Sequence, residues 1–410
     1  MFQLRPHQQR ALDALAENTK GIVVFPTGGG KTNVAIYDAI RVFQSKTPMT
    51  VVVVAPRLSL ISQLSREFME HIDQHVEDVS VLQVSSGNFG WPSTTNPDLI
   101  DRWESTVMGH KIIFTTYKSL PRIVESGIHI NTIYFDEAHN SVRSDYFEST
   151  EYMSYEADRC YFFTATPKVS ESEDRPGMNE EYVYGKILCS IPAPELIDNG
   201  FIVPPKVKTV KIERSKNTDP TEAIRDDIVN AIRDLGLEKI MVCAKSTTAI
   251  ISLMGTTDFM EVVQSQGFHV MFITSRHGAF IDGKKVSKED FFSTLNAWGK
   301  ETDRKFVVLH HSILGEGINV SGLEAVMFMR GMDTVGIGQT VGRTLRLDHR
   351  DAEAIASGEV SPGALEDYHK PYGMVVVPVS CKRTERAARS IEEVVSTVFD
   401  EGGIAVSVMK

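Results

Sequence analysis

The sequence predicts an α/β fold in which one architecture, a parallel sheet covered on both faces by helices, is used twice. Three observations lead there. Short apolar runs rich in β-branched residues recur along the chain with helix-like stretches between them, the pattern of strands buried on both faces. These runs fall into two series, one in each half. A chain of 410 residues is also long enough for two domains of ordinary size, each with its own core.

Taken in order, the first series places strands at 21–26, 50–56, 79–84, 111–116, 132–136 and 161–164. The second places them at 239–244, 269–274, 306–310, 325–329 and 374–379. Helical periodicity fills 8–17, 31–43, 221–235 and 385–399. Pro204 and Pro205 forbid helix and remove backbone donors, which predicts an extended connector near 200–205 and domains at 1–202 and 203–410. The stretch 85–97, rich in Gly, Ser, Thr, Asn and Pro, reads as a surface loop. The polar stretch 348–372 reads as an insertion before the last core strand.

Composition narrows the class. With 42% hydrophobic and 24% charged residues the chain has the make-up of a globular protein. No apolar run reaches the roughly 18–20 residues a membrane span needs, and the start carries no apolar signal core. A cytoplasmic protein of a bacterium or phage-infected host, with no membrane partner, is the expectation. The cysteines (Cys160, Cys189, Cys243, Cys381) are scattered and read as reduced thiols. The net charge is −11; residues 1–200 hold 17 basic and 26 acidic residues, so most of the acidity lies in the first half. An acidic mean weakens long-range attraction to phosphates, but a local groove can still bind them.

Chemistry first becomes visible after the first strand, at Pro26-Thr27-Gly28-Gly29-Gly30-Lys31-Thr32. Phosphate oxygens need converging backbone N–H groups, hence glycines where a Cβ would collide with the ligand. A following helix adds free N-terminal donors and its positive dipole end. Lys31 then reaches the β- and γ-phosphates, and the Thr32 hydroxyl holds Mg²⁺. Strict spacing asks for glycine where Phe25 stands. Gly-Lys-Ser/Thr alone arises by chance in roughly one chain in five of this length; strand, three glycines and helix in register make it specific.

The apolar run at 132–135 leads into Asp136-Glu137-Ala138-His139. Acids at a strand's C-terminal end stand where open α/β sheets bind ligands. Asp136 is placed to hold Mg²⁺ through water and Glu137 to orient and deprotonate an attacking water. His139 is placed to signal the nucleotide's state. The second half offers Gln339, Gly342, Arg343 and Arg346. The two arginines are three apart and would share a helical face, with Gln339 joining them. Cations that stabilise charge on a γ-phosphoryl group are what a phosphate loop otherwise lacks, so Arg343 and Arg346 are the candidate arginine fingers.

With these clusters in order, the chain resembles superfamily 2 helicases of the DEAH-box type over nearly its whole length, most closely the compact viral and bacterial ones and the motors of restriction and branch-migration enzymes. The resemblance implies two tandem RecA-like parallel-sheet domains with a nucleotide cleft between them, and ATP with Mg²⁺ as the nucleotide and ion. It implies that Gln8, with Arg5, contacts adenine. It implies nucleic-acid contacts at Pro56 and Arg57, at Thr116 and Ser119, at Lys245 and Ser246, and at Ser275 and Arg276. Thr164 and Thr166 match the element that couples hydrolysis to movement. Gly317 and Asn319 fall in the motif that meets the ribose, Asn319 standing where many members carry Asp. The implied partner is nucleic acid, with single-stranded or branched DNA favoured, moved stepwise through contacts to its backbone that carry little sequence preference. An RNA helicase or ribonucleoprotein remodeller, and the motor subunit of a restriction-type complex, share this core and stay open. A nucleotide switch without turnover and a metabolic phosphate-loop kinase compete from other classes; intact Lys31, Glu137 and Arg346 oppose the first, fingers in a second domain the second.

Overall fold

The computed structural model describes residues 4–87, 90–172, 174–212, 218–311 and 322–409. They form two compact units, Met1–Ile191 with Val406–Lys410, and Pro192–Ala405.

The first unit is built on β1 (Lys20–Val24), β2 (Thr50–Ala55), β3 (Val79–Val84), β4 (His110–Thr116), β5 (Thr132–Phe135) and β6 (Arg159–Thr164), with β7 (Lys168–Ser170) outside the sheet and β8 (Ile187–Ser190) at its edge. The order is β3-β4-β2-β5-β6-β1-β8, every pairing parallel. Burial on both faces explains the sequence: Val51 to Ala55 are all at most 2% exposed, so the strand cannot alternate with polar residues. Helix α1 (Pro6–Glu17) precedes β1; α2 (Lys31–Phe43), α3 (Leu58–Ile72), α4 (Pro97–Thr106), α5 (Leu120–Ser126) and α6 (Ser144–Glu156) lie in the crossovers, followed by the short α7 (Glu181–Tyr184). Because β1 and β2 are separated by β5 and β6, the chain leaves β1 at a switch in strand order, the place where such sheets bind ligands at their C-terminal edge.

The second unit opens with α8 (Ala193–Asp198) and β9 (Pro205–Lys211). It continues through α9 (Pro220–Leu235), β10 (Lys239–Cys243), α10 (Thr247–Thr256), α11 (Phe259–Ser265), β11 (Phe268–Thr274), β12 (Gly278–Ile281) and β13 (Lys284–Val286). Then come α12 (Lys288–Lys300), β14 (Lys305–His310), β15 (Ala325–Phe328), α13 (Thr334–Thr344), α14 (His349–Ser357), β16 (Gly373–Val379) and α15 (Lys382–Val395). Its eight-stranded order is β13-β12-β11-β14-β10-β15-β16-β9, parallel from β11 to β9, with β12 and β13 added antiparallel at one edge. The last strand, β17 (Ser407–Met409), pairs with β7 and so belongs to the first unit.

The chain passes between units at Ile191/Pro192, earlier than the prolines at 204 and 205 predict. The expected connector near 200–205 is instead packed into the second unit. Ile202 and Val203 are fully buried, Ile202 pairs with Arg346, and the Val203 N–H donates to the Leu345 carbonyl at 2.8 Å. Among the described residues no helix is long and apolar enough to cross a membrane.

Candidate functional site

At the end of β1 the Phe25 N–H still donates to Thr164 at 3.2 Å, and its side chain is fully buried. Phe25 is thus the last core residue of the strand, which is why an aromatic is accommodated where the strict motif has glycine. The loop proper begins after it. Gly28 and Gly30 adopt φ of 91° and 79°, the left-handed region that costs glycine least, and Gly30 is the N-cap of α2. A Cβ on Gly30 would stand 2.1 Å from the Gln8 amide nitrogen, so a side chain there, besides being strained at this φ, would displace the Gln8 amide from the loop. His7 is 1% exposed and donates from Nε2 to the Gly29 carbonyl at 2.8 Å, its ring edge-on to Phe25. Gln8 reaches the Gly29 and Gly30 carbonyls at 3.5 and 3.4 Å and accepts from the Arg5 N–H at 3.0 Å. Gln8 therefore braces the loop backbone in this structure, with Arg5 as the N-cap of α1. Sequence reasoning misses His7, whose only signal is its place beside Gln8.

Lys31 opens α2 and folds its ammonium back onto the Phe25 carbonyl at 3.3 Å. Lys31, Thr32 and Asp136 line one small cavity together with Tyr134, Phe68 and Phe163. Burial, and then the neighbouring Glu137 charge, hold the Asp136 carboxyl well above the usual range, with Lys31 pulling the other way. Tyr117 donates to the Asp136 carbonyl at 3.0 Å and fixes the strand end. Glu137 has φ of 46°, a strained value for a side-chain-bearing residue, and caps a short 3-10 turn at Ala138–Asn140. That turn brings the His139 Nδ1 within 3.6 Å of the Glu137 carboxylate.

His139 is 1% exposed. Its Nδ1 lies 3.1 Å from Thr164 Oγ1, and its Nε2 accepts from the Asn140 amide at 3.1 Å, so Nδ1 is the donor. Thr164 Oγ1 also accepts the Thr166 N–H at 3.1 Å. The acidic turn and the expected coupling threonines are thus one hydrogen-bonded chain.

Two further strand ends share this edge. Pro56 and Arg57 follow β2, with Arg57 as N-cap of α3. Thr116 ends the adjacent β4, and its hydroxyl meets the Ser119 N–H at 3.3 Å and hydroxyl at 3.2 Å; Ser119 caps α5.

In the second unit Gln339 and Arg343 are each 4% exposed on α13. The expectation that Arg343 and Arg346 share a helical face is corrected: α13 ends at Thr344, and Arg346 lies in an extended bridge with Ile202. The helix stops because the chain at Leu345 and Arg346 turns its hydrogen bonds to the segment at 202–203. Lys245 follows β10, and Ser246 caps α10 by accepting the Ala249 N–H at 3.0 Å. Ser275 and Arg276 are exposed after β11. Gly317 and Asn319 lie outside the described residues.

The donor set fits a magnesium–nucleotide. Among the described residues no group of three or more His, Cys, Asp and Glu could hold a metal by itself. A cation held by Thr32 and Asp136 would take its remaining ligands from phosphate and water, as Mg²⁺ does.

Residues 1–169 match the family described as type III restriction enzyme, res subunit. The chain is similar to the mouse ATP-dependent RNA helicase DHX58, with 36% identity over 101 residues, 24% of this chain and 15% of that one. Its fold matches the ATP-dependent type ISP restriction-modification enzyme LlaBIII bound to DNA, TM-score 0.70 at 18% identity over 100% of this chain and 31% of that one. It also matches a nuclease-deletion mutant of the type ISP enzyme LlaGI in complex with a DNA substrate mimic, TM-score 0.63 at 19% identity, covering 99% and 30%. The chain thus spans less than a third of the length of each of these relatives. Motif order and the match over residues 1–169 make the chain similar to superfamily 2 helicases, and its two α/β units share the RecA-like fold of the solved neighbours.

Proposed function

We propose that the protein is an ATP-dependent DNA helicase or translocase that moves along single strands and remodels forked or branched DNA in the cytosol. The observation that carries this reading is the C-terminal edge of the first sheet. There the phosphate loop after β1, the acids after β5 and the Thr164–His139 link stand beside the β2 and β4 ends, which carry Arg57, Thr116 and Ser119. Fuel chemistry and strand contacts on one rigid edge are what a motor requires.

In this reading the amides of Gly28 to Thr32 and the Lys31 ammonium cradle the triphosphate, and Gln8 with Arg5 meets the adenine. Thr32 and Asp136 would hold Mg²⁺, which would supply charge neutralisation for the phosphate oxygens. Glu137 orients water and takes its proton as the oxygen attacks the γ-phosphorus, while the bond to the β-phosphate oxygen breaks and ADP leaves. Arg343 and Arg346, with Gln339 beside them, stabilise charge on the transferring group. Gly317 and Asn319 meet the ribose. Loss of the γ-phosphate is relayed from Glu137 through His139 to Thr164 and Thr166.

Two variants of the reading have their own support. The mouse relative is named an RNA helicase. Both solved relatives are restriction-modification enzymes of which this chain matches about a third, which favours a motor within a larger restriction-type assembly. ATPase rates with single-stranded, duplex, forked and four-way DNA, and with matched RNA, test the DNA-motor reading against the RNA one. Stimulation of tenfold or more by single-stranded or forked DNA over RNA is expected. Equal or greater stimulation by RNA would favour the remodeller, and no turnover with any polymer would overturn the motor.

A further inference from the structure

The second sheet carries exposed cations where several of its parallel strands end. Where strands begin, acids and bases stand together: Glu238 and Lys239 at β10, Glu301, Asp303, Arg304 and Lys305 at β14, and Glu324 before β15. Two of these are neutralised locally, Glu238 by Lys305 and Glu301 by Arg304, each at 2.7 Å. Where strands end, cations stand without such pairing. Arg276 follows β11, Lys245 follows β10, Lys382 and Arg383 follow β16, and Lys211 ends β9. All five are exposed, and among the described residues none takes part in an ion pair shown by the structure. The sheet order β11-β14-β10-β15-β16-β9 spreads them over roughly 24 Å at the usual strand spacing. The Ile212 N–H donates to the Val379 carbonyl at 2.9 Å, which holds the ends of β9 and β16 side by side.

Lys382 and Arg383 also stand where they cost stability. They are the first two residues of α15, at the positive end of its dipole, where carboxylates are favoured and cations disfavoured. Glu385 is the only acid in that turn. A chain with net charge −11 that keeps unpaired cations at such a place has a use for them beyond folding.

We propose that Lys382, Arg383 and Lys211 form a phosphodiester-binding track that continues, along the same sheet edge, the strand contacts assigned to Lys245 and Arg276. The ligand is the sugar-phosphate backbone of a single strand, read without regard to base. The inference rests on the motor reading but concerns residues outside its motifs.

The test is fluorescence anisotropy of a labelled oligothymidylate across a salt series, with the full chain and its Lys382→Gln/Arg383→Gln variant. Removing one cation from a phosphate should reduce the slope of log affinity against log salt by about 0.7, so the double variant should drop by about 1.4 and bind roughly tenfold more weakly at low salt. Its melting temperature should hold or rise, since the dipole conflict is relieved, which distinguishes weaker binding from a damaged fold. A second readout is built in. Cys381 directly precedes the pair and is exposed, and its thiol is pushed down to about 7, first by the Thr384 backbone N–H. Site-resolved alkylation of Cys381 at neutral pH should slow when oligothymidylate is bound. An unchanged slope in the variant, or alkylation indifferent to the oligonucleotide, would overturn the track while leaving the motor intact. Failure of the unsubstituted chain to bind would overturn both.

Discussion

Asp136 and Glu137 put two carboxylates at the end of one buried strand, and burial with a like charge alongside penalises the Asp136 anion. That penalty is tolerable only if something at the site repays it, which Mg²⁺ and the phosphates' partner Lys31 do in the motor reading. Asp136→Asn should therefore raise the nucleotide-free protein's stability by roughly 1 kcal/mol while reducing Mg²⁺-dependent ATP turnover at least a hundredfold, read by thermal melting and steady-state ATPase. Lower stability with normal turnover would remove Asp136 from the site. Arg346→Ala makes a separate claim: ATP affinity within about threefold of the unsubstituted chain, with hydrolysis slowed roughly a thousandfold. A large fall in nucleotide affinity with normal turnover would contradict the finger. At this scale the sequence is informative wherever chemistry requires a residue type at a fixed spacing, as at Gly28–Thr32 and Asp136–His139. It is silent on His7 and Tyr117, whose bonds to Gly29 and Asp136 are to backbone carbonyls that any sequence supplies.

Elements are legible in proportion to their burial. Strands closed on both faces, such as β2 and β10, announce themselves as unbroken apolar runs. The edge strands β8 and β9 escape notice because one side meets solvent: β9 reads Pro-Lys-Val-Lys-Thr-Val-Lys, with Lys206, Lys208 and Lys211 exposed. The β12–β13 hairpin escapes it too, although its Asp282-Gly283 pair, at φ of 46° and 77°, is a turn signal. The insertion at 348–372 contains α14 and is organised by Asp351, 2% exposed, which accepts the His369 and Lys370 N–H groups at 2.8 and 3.0 Å. Lys370 is itself 7% exposed and donates to the Arg346 carbonyl at 2.7 Å. Burial pushes its ammonium down to about 7. Between that value and the unfolded value of 10.5 the unfolded chain binds more protons than the folded one. Stability from this group therefore rises as pH climbs through that window. The melting temperature should increase more steeply from pH 7 to pH 9 in the unsubstituted chain than in Lys370→Met. Parallel profiles would show that Lys370 is not charged at a cost.

At the scale of the molecule, the division into two units is evident from two series of strands. The place where the chain crosses is not, because the prolines at 204 and 205 mark the start of an edge strand as readily as a connector. The return of β17 to the first unit has no signal, since a three-residue strand carries no periodicity. This division has a consequence for ligand-linked stability. The phosphate loop, Gln8, Asp136 and Glu137 all lie within Met1–Ile191. A nucleotide held by those groups stabilises the folded first unit by RT ln(1 + [L]/Kd), about 2.7 kcal/mol at a hundredfold excess over Kd. Hydrogen exchange resolved by peptide should show that gain. With a non-hydrolysable ATP analogue and Mg²⁺, amides of β1, α2 and β5 should exchange about a hundredfold more slowly in the regime where opening is global. The edge strands β12 and β13, remote in sequence from every nucleotide-contacting motif, should change least. Lys31→Ala should abolish the protection in β1 and α2, because the ammonium is the principal cation on the phosphates. Protection that survives Lys31→Ala, or that is greatest in β12 and β13, would mean the nucleotide sits elsewhere, and the motor reading would lose its fuel site.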